Sequence, residues 1–226
     1  MSRAKQIIVI NPNSNEHVTD SMNTALNSFR FADGPIIKSV TNLDGPPGIE
    51  SQQDADSAAV QVADIIRRNN IADAFVIACF SDPGIFAARE VTNKPVFGIA
   101  ESGILTALSL GSSYGILAIL DTSVPRHIRY IRSLGLEKRL AGDLAIGLGV
   151  AELRDEKKTF HRLQEVGIKL RDNSGASVLI LGCAGMARYR VGLQESLGIP
   201  VVDPSQAAVS MAISAVFLSY KSIYLN

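Results

Sequence analysis

The chain has 226 residues, 46% of them hydrophobic and 19% charged, which supplies a packed core and argues against disorder. Lysine plus arginine and aspartate plus glutamate number 22 each, with no block of like charge, which argues against a nucleic-acid partner. The longest apolar stretches, such as Ala207 to Leu218 with its Ser210 and Ser214, are broken and fall short of a membrane span, and Met-Ser-Arg-Ala-Lys-Gln runs straight into a strand-like run rather than a signal h-region. A cytoplasmic protein without a membrane partner is expected.

In chain order, short β-branched runs alternate with longer segments of helical period, the pattern of an α/β protein with parallel sheets. Strands are predicted at 6–10, 35–41, 74–79 and 95–99, and again at 114–120, 143–148, 177–182 and 200–202. Ile-Ile-Val-Ile (7–10) and Val-Leu-Ile-Leu (178–181) are continuously apolar, as parallel strands covered on both faces should be. Helix 51–69 places Ala55, Ala58, Ala59, Val62, Ala63, Ile65 and Ile66 on one stripe. Helix 153–171 does so with Leu153, Phe160, Leu163, Val166, Gly167 and Leu170. Asp203-Pro204-Ser205 announces a last helix over 205–221. The halves repeat, so the expected fold is α/β with two pseudo-symmetric lobes. Each lobe is a four-stranded parallel sheet flanked by helices, with the active site in the cleft between them. The first lobe takes residues 1–97 and 206–226, the second 98–205, and each suits a compact unit of about 100 residues.

The only two cysteines fall at matching places in this repeat. Cys79 closes Ala-Phe-Val-Ile-Ala-Cys and Cys183 closes Val-Leu-Ile-Leu-Gly-Cys, each before a turn of small residues and each followed at similar distance by Pro-Val. In a reducing compartment they are thiols. Ligands of open parallel sheets bind beyond the carboxyl ends of the strands, where both cysteines and the polar turns Asn-Pro-Asn-Ser (11–14) and Asp-Thr-Ser (121–123) fall. A lone cysteine in an apolar run is usually a core residue, but here that reading must hold twice at equivalent strand ends. A helix N-terminus beside each sulfur should pull the thiol below its usual pKa of roughly 8.5. One thiolate then removes a proton from a carbon, the opposed thiol returns one to the other face, and backbone amides hold the enolate oxygen. With each thiol about 3–3.5 Å from that carbon, the sulfurs should stand on the order of 7 Å apart.

Asn13 or Ser14 is expected to cap the first helix. The chain has no Walker or Gly-x-Gly-x-x-Gly loop after a strand and no Gly-x-Ser-x-Gly elbow. His17, His127 and His161 lack ligand spacing, and neither cysteine has further ligands nearby, so no metal and no cofactor are expected. Glu101 falls on the rim, as an exposed helix-start residue or a wall of the cleft.

At these residues the chain resembles the aspartate/glutamate/hydantoin racemase superfamily, and within it the hydantoin and allantoin racemase branch. The resemblance rests on Ile-Asn-Pro-Asn-Ser (10–14), Ala-Cys-Phe-Ser-Asp-Pro-Gly (78–84), Gly-Ile-Ala-Glu (98–101), Leu-Gly-Cys-Ala-Gly-Met (181–186) and Val-Asp-Pro (202–204), in order along nearly the whole chain. It implies a cofactor-independent racemase with Cys79 and Cys183 as the two acid/base groups, and a C-terminal helix packed on the first lobe. Substrate contacts are expected from Asn11, Pro12, Asn13, Ser14, Phe80, Ser81, Ser112, Ser113, Ala184 and Gly185. Ser112-Ser113 and Ala118-Ile119 stand where the branch often carries a basic or aromatic pair and then threonines, which puts the particular substrate in doubt. Amino-acid racemases of the superfamily carry Cys-Asn-Thr and Cys-Thr, whereas Phe80 and Ala184 follow the cysteines here. The arylmalonate decarboxylases resemble it too but keep one catalytic cysteine, in the second lobe, and Cys79 argues against them.

The expected partner is a small molecule, a hydantoin substituted at C5 or allantoin, turned over by a homo-oligomer. An amino-acid or dicarboxylate isomerase of the same fold would need a cation for a free carboxylate, and near the motifs only Arg188 and Arg190 offer one. A two-lobed binding protein without chemistry would be indifferent to removal of either thiol.

Overall fold

In the computed structural model, which describes residues 3–222, the chain forms two four-stranded sheets with every strand pair parallel. The first sheet contains β1 (Gln6–Asn11), β2 (Ile36–Thr41), β3 (Ala74–Ile77) and β4 (Val96–Gly98), in the order β2-β1-β3-β4. The second contains β5 (Tyr114–Ala118), β6 (Leu140–Ala145), β7 (Val178–Leu181) and β8 (Val201–Val202), in the order β6-β5-β7-β8. The same strand order in both halves is the repeat expected from the sequence. Inner strands β1, β3, β5 and β7 are buried almost throughout, which explains their unbroken apolar runs.

One strand is displaced from its expected place. Residues 143–148 were apolar enough to suggest strand, but β6 begins at Leu140 and stops at Ala145. As an edge strand it tolerates Gly142 and Asp143. Ile146 and Leu148 are buried for another reason: their amides turn inward onto the carbonyls of Ala118 and Ile119, and Gly147 takes a positive φ of 74° to permit the bend.

The helices are α1 (Glu16–Ala25), α2 (Gln52–Arg68), α3 (Ile85–Glu90), α4 (Ile99–Leu110), α5 (Val124–Ser133), α6 (Glu156–Asp172), α7 (Arg190–Leu197) and α8 (Pro204–Phe217). Ser51 and Asp54 close a capping box at the start of α2, which buries Ala55, Ala58, Val62, Ala63 and Ile66. The helix expected from 153 opens at Glu156, capped by Asp155, because Val150–Arg154 forms a separate 3-10 turn. Helix α8 ends at Phe217, short of 221, where Ser219 adopts a φ of 57° and Tyr220 N–H returns to the Ala215 carbonyl.

Helices α4 and α8 lie against each other and reach across the repeat. The first, which leaves β4, packs on β5, β7 and β8, while the second, which leaves β8, packs on β1, β3 and β4. Gly103 permits this approach, since a Cβ there would stand 3.0 Å from Pro204 Cβ. One apolar cluster therefore runs from Ile7 and Val76 of the first sheet through Val209 and Ala212 of α8 to Leu117 and Leu181 of the second. The ends of β3 and β7 are held on one continuous core.

Candidate active site

Cys79 and Cys183 leave their sheets by the same step. Past β3, Ala78 N–H extends the ladder onto the Ile10 carbonyl (2.7 Å). Past β7, Gly182 N–H does so onto the Leu117 carbonyl (2.9 Å). The next residue in each case is the cysteine, and each chain then turns sharply. Ser81 and Asp82 amides return to the Cys79 carbonyl, and the Met186 amide returns to that of Cys183. The intervening amides, Phe80 N–H and Ala184 N–H, donate to no protein group among the described residues. Both thiols are free, partly open to solvent, and line one common cavity.

The expected lowering of the thiol pKa is not found. Burial pushes Cys79 up to about 12, with the neighbouring Cys183 and Asp82 adding to the rise and the Arg126 charge opposing it. Burial likewise pushes Cys183 up to about 11; the Gly185 amide, 3.4 Å from Sγ, works against it, while Glu50 and Asp203 add to it. Helix-end donors are present as expected, but loss of water around the two thiols outweighs them.

Of the residues singled out in the sequence, Asn13, Phe80, Ser81 and Ala184 line the cavity with the cysteines. Asn11 is buried beneath it as scaffold, donating through Nδ2 to Asn13 Oδ1, the Asn15 carbonyl and Thr19 Oγ1. The Pro12 carbonyl accepts from Asn42 Nδ2, and Ser14 N–H bonds the Pro46 carbonyl. The cap of α1 is Asn15 rather than Asn13 or Ser14. Asn13 Oδ1 instead accepts from Asn11 and from Asn15 N–H, which leaves its Nδ2 as the remaining donor. Gly185 meets the Cys183 sulfur through its amide and lines a neighbouring depression that shares Val18 and Val150 with the cavity.

Ser112 and Ser113 require correction. They precede β5 and so occupy the opposite end of the sheet from the cysteines, where Ser113 bonds Ser177 and the Gly175 carbonyl. The Ser112 carbonyl accepts from Arg139. Glu101 pairs with Arg89 at 2.7 Å and is not part of the cavity wall. Arg188 pairs with exposed Glu156 and faces the neighbouring depression.

The sequence put the turn 121–123 beside the cysteines but did not announce the first turn of α5 that follows it. Ser123, Arg126 and His127 all line the cavity. Arg126 is only 7% exposed; its Nε donates to Ser81 Oγ at 2.7 Å, and no carboxylate among the described residues forms an ion pair with it. His127 Nδ1 shares a hydrogen bond of 2.9 Å with buried Asp143 Oδ2, and its ring meets Phe80 edge-on, with centroids 5.2 Å apart. That pair fixes the aromatic wall beside Cys79. Asp82, at a φ of 44°, is turned under the site, where its carboxylate accepts from the Ala100 and Glu101 amides and from Tyr130 Oη. Burial pushes its pKa up to about 7. Among the described residues no group of three or more His, Cys, Asp or Glu could hold a metal, and no helix is long and apolar enough to cross a membrane.

The two thiols thus stand at equivalent ends of repeated parallel sheets and share one cavity. The Asp/Glu/hydantoin racemase family model matches residues 7–212. Hydantoin racemase of Paenarthrobacter aurescens is 35% identical, over 98% of this chain and 95% of that protein. Hydantoin racemase of Pseudomonas sp. strain NS671 is 35% identical over 98% and 90%. The structure of allantoin racemase from Klebsiella pneumoniae superposes with a TM-score of 0.92 at 32% identity, covering 97% of this chain and 90% of that one. The chain belongs to the Asp/Glu/hydantoin racemase family.

Proposed function

We infer that the protein racemises C5-substituted hydantoins, allantoin among them, by proton transfer between Cys79 and Cys183. The observation that carries this reading is the two thiols, one residue beyond equivalent ladder bonds, lining one cavity. The C5 hydrogen is acidified by the adjacent ring carbonyl. One cysteine, as thiolate, takes that proton while the electron pair moves onto the carbonyl oxygen. The amides of Phe80 and Ala184, which donate to no protein group among the described residues, then receive the developing negative charge. The opposite cysteine, as thiol, then protonates the other face, and the next turnover runs in reverse from the exchanged protonation states. High thiol pKa values suit this role, because a weak carbon acid needs a strong base and a desolvated thiolate is one. The reading calls on no cofactor or metal.

The test is deuterium uptake from heavy water, followed by proton NMR and chiral chromatography. The substrates are allantoin, alkyl and aryl hydantoins, free amino acids and dicarboxylates. Exchange at C5 of hydantoins with loss of optical rotation is expected. Exchange of free amino acids alone would overturn the assignment to hydantoins.

A further inference from the structure

The sequence marked Asp-Thr-Ser (121–123) as a polar turn at the rim, and the mechanism above makes no use of it. The structure gives it a purpose. Ser123 is fully buried and its Oγ has no hydrogen-bond partner. One helical turn on, Arg126 Nη1 is also buried and without a partner. The two residues are three apart at the start of α5, hence on one face, and both line the cavity that holds the thiols. A buried cation without a bonded carboxylate is costly unless something else completes it. The titratable groups around it are Asp54, Arg129, Asp143 and Cys79, none of them an ion-pair partner among the described residues. Arg126 and Ser81 also line an outer groove beside the cavity, so the guanidinium stands where a substituent would leave the reaction centre.

We propose that Arg126 and Ser123 form the subsite for a carboxylate at the end of the C5 substituent, so that the preferred substrates are hydantoins with an acidic side chain. This rests on the racemase reading and adds the substrate class. Arg126 Nη1 and Ser123 Oγ each donate to a carboxylate oxygen, while Nε stays committed to Ser81. The cation is then neutralised only when substrate is bound.

The experiment measures C5 deuterium exchange for three hydantoins, bearing carboxyethyl, carbamoylethyl or butyl on C5, with wild-type protein, Arg126→Gln and Arg126→Lys. For wild type, kcat/KM for the carboxylate should exceed that for butyl by roughly ten- to a hundredfold, the range of one or two charge-assisted hydrogen bonds, with the carboxamide between. Arg126→Gln should collapse that ratio, and Arg126→Lys should keep part of it. A wild-type protein that treats the three alike or prefers butyl would overturn the proposal, whether or not the variants fold. A uniform fall for all three substrates in Arg126→Gln would also overturn it. If wild type exchanges none of them, the racemase reading itself fails.

Discussion

The reactivity of the two thiols offers the sharpest test of the site, because the structure reverses what strand-end cysteines suggest. With Cys79 pushed up to about 12, its thiolate fraction at neutral pH is about 3000-fold below that of a free cysteine titrating near 8.5. A more basic thiolate is also more nucleophilic, by about 0.4–0.5 log units per pKa unit, which recovers roughly 1.5 of those 3.5 decades. Alkylation of Cys79 by iodoacetamide at pH 7 should therefore run about a hundredfold slower than that of free cysteine. Cys183, pushed up to about 11, should run roughly twenty- to thirtyfold slower by the same reckoning. The assay follows alkylation by mass spectrometry in Cys79→Ser and Cys183→Ser, which isolate one thiol each. In each the rate should keep rising about tenfold per pH unit beyond pH 9, where free cysteine has levelled off. Removing Cys183 also removes the second largest cause of the Cys79 shift, so the remaining thiol should stay high but below its value in the intact pair. A rate that levels off at or below pH 8.5, or that exceeds free cysteine in mild acid, would refute the account of burial as the dominant influence.

Either single cysteine-to-serine substitution should abolish racemisation while leaving C5 exchange for the enantiomer facing the remaining thiol, seen as deuterium uptake without loss of rotation; racemisation in both directions would contradict the two-base assignment. Gly98→Ala should destabilise the protein by about 3–5 kcal/mol in urea unfolding, through overpacking and lost hydrogen bonds. A Cβ at that position would lie 2.1 Å from the Asp82 carboxylate, which accepts from Ala100, Glu101 and Tyr130. A loss below about 1 kcal/mol would show that the carboxylate moves freely.

What the sequence disclosed follows from burial. Parallel strands covered on both faces must be apolar without alternation, so Ile7–Ile10, Ala74–Ile77 and Val178–Leu181 stand out, and a cysteine at the end of two of them is conspicuous. The edge strand β6 did not stand out, because Gly142 and Asp143 interrupt it, the buried carboxylate being held by a distant residue, His127, and the apolar residues beyond it fill the core from a turn. Arg126 and His127 were hidden by their company: Val-Pro-Arg-His-Ile-Arg reads as a solvated helix start, and nothing local says that the other lobe covers it. One signal was present. The Asp-Thr-Ser turn falls at the carboxyl end of β5, and the first turn of the helix after such an end faces the same cleft as the cysteines. The same topology argues against Ser112 and Ser113, which precede a strand and so lie at its far end.

The near-symmetry of the backbone is not matched by the charges around it, and this bears on catalysis. Cys79 has the Arg126 cation for a neighbour, whereas Cys183 has the Gly185 amide and feels the carboxylates of Glu50 and Asp203. At each helix start a carboxylate receives the amides, but by different routes. Asp203 caps α8 from the residue before it, while α4 begins after Gly98 and borrows Asp82 from the Cys79 turn. On the two-cysteine proposal each enantiomer therefore meets a different base and a different acid. Thermodynamics still requires equal kcat/KM in the two directions, because enantiomers have the same free energy in water. Asymmetry of the site can show only as compensating differences in kcat and KM.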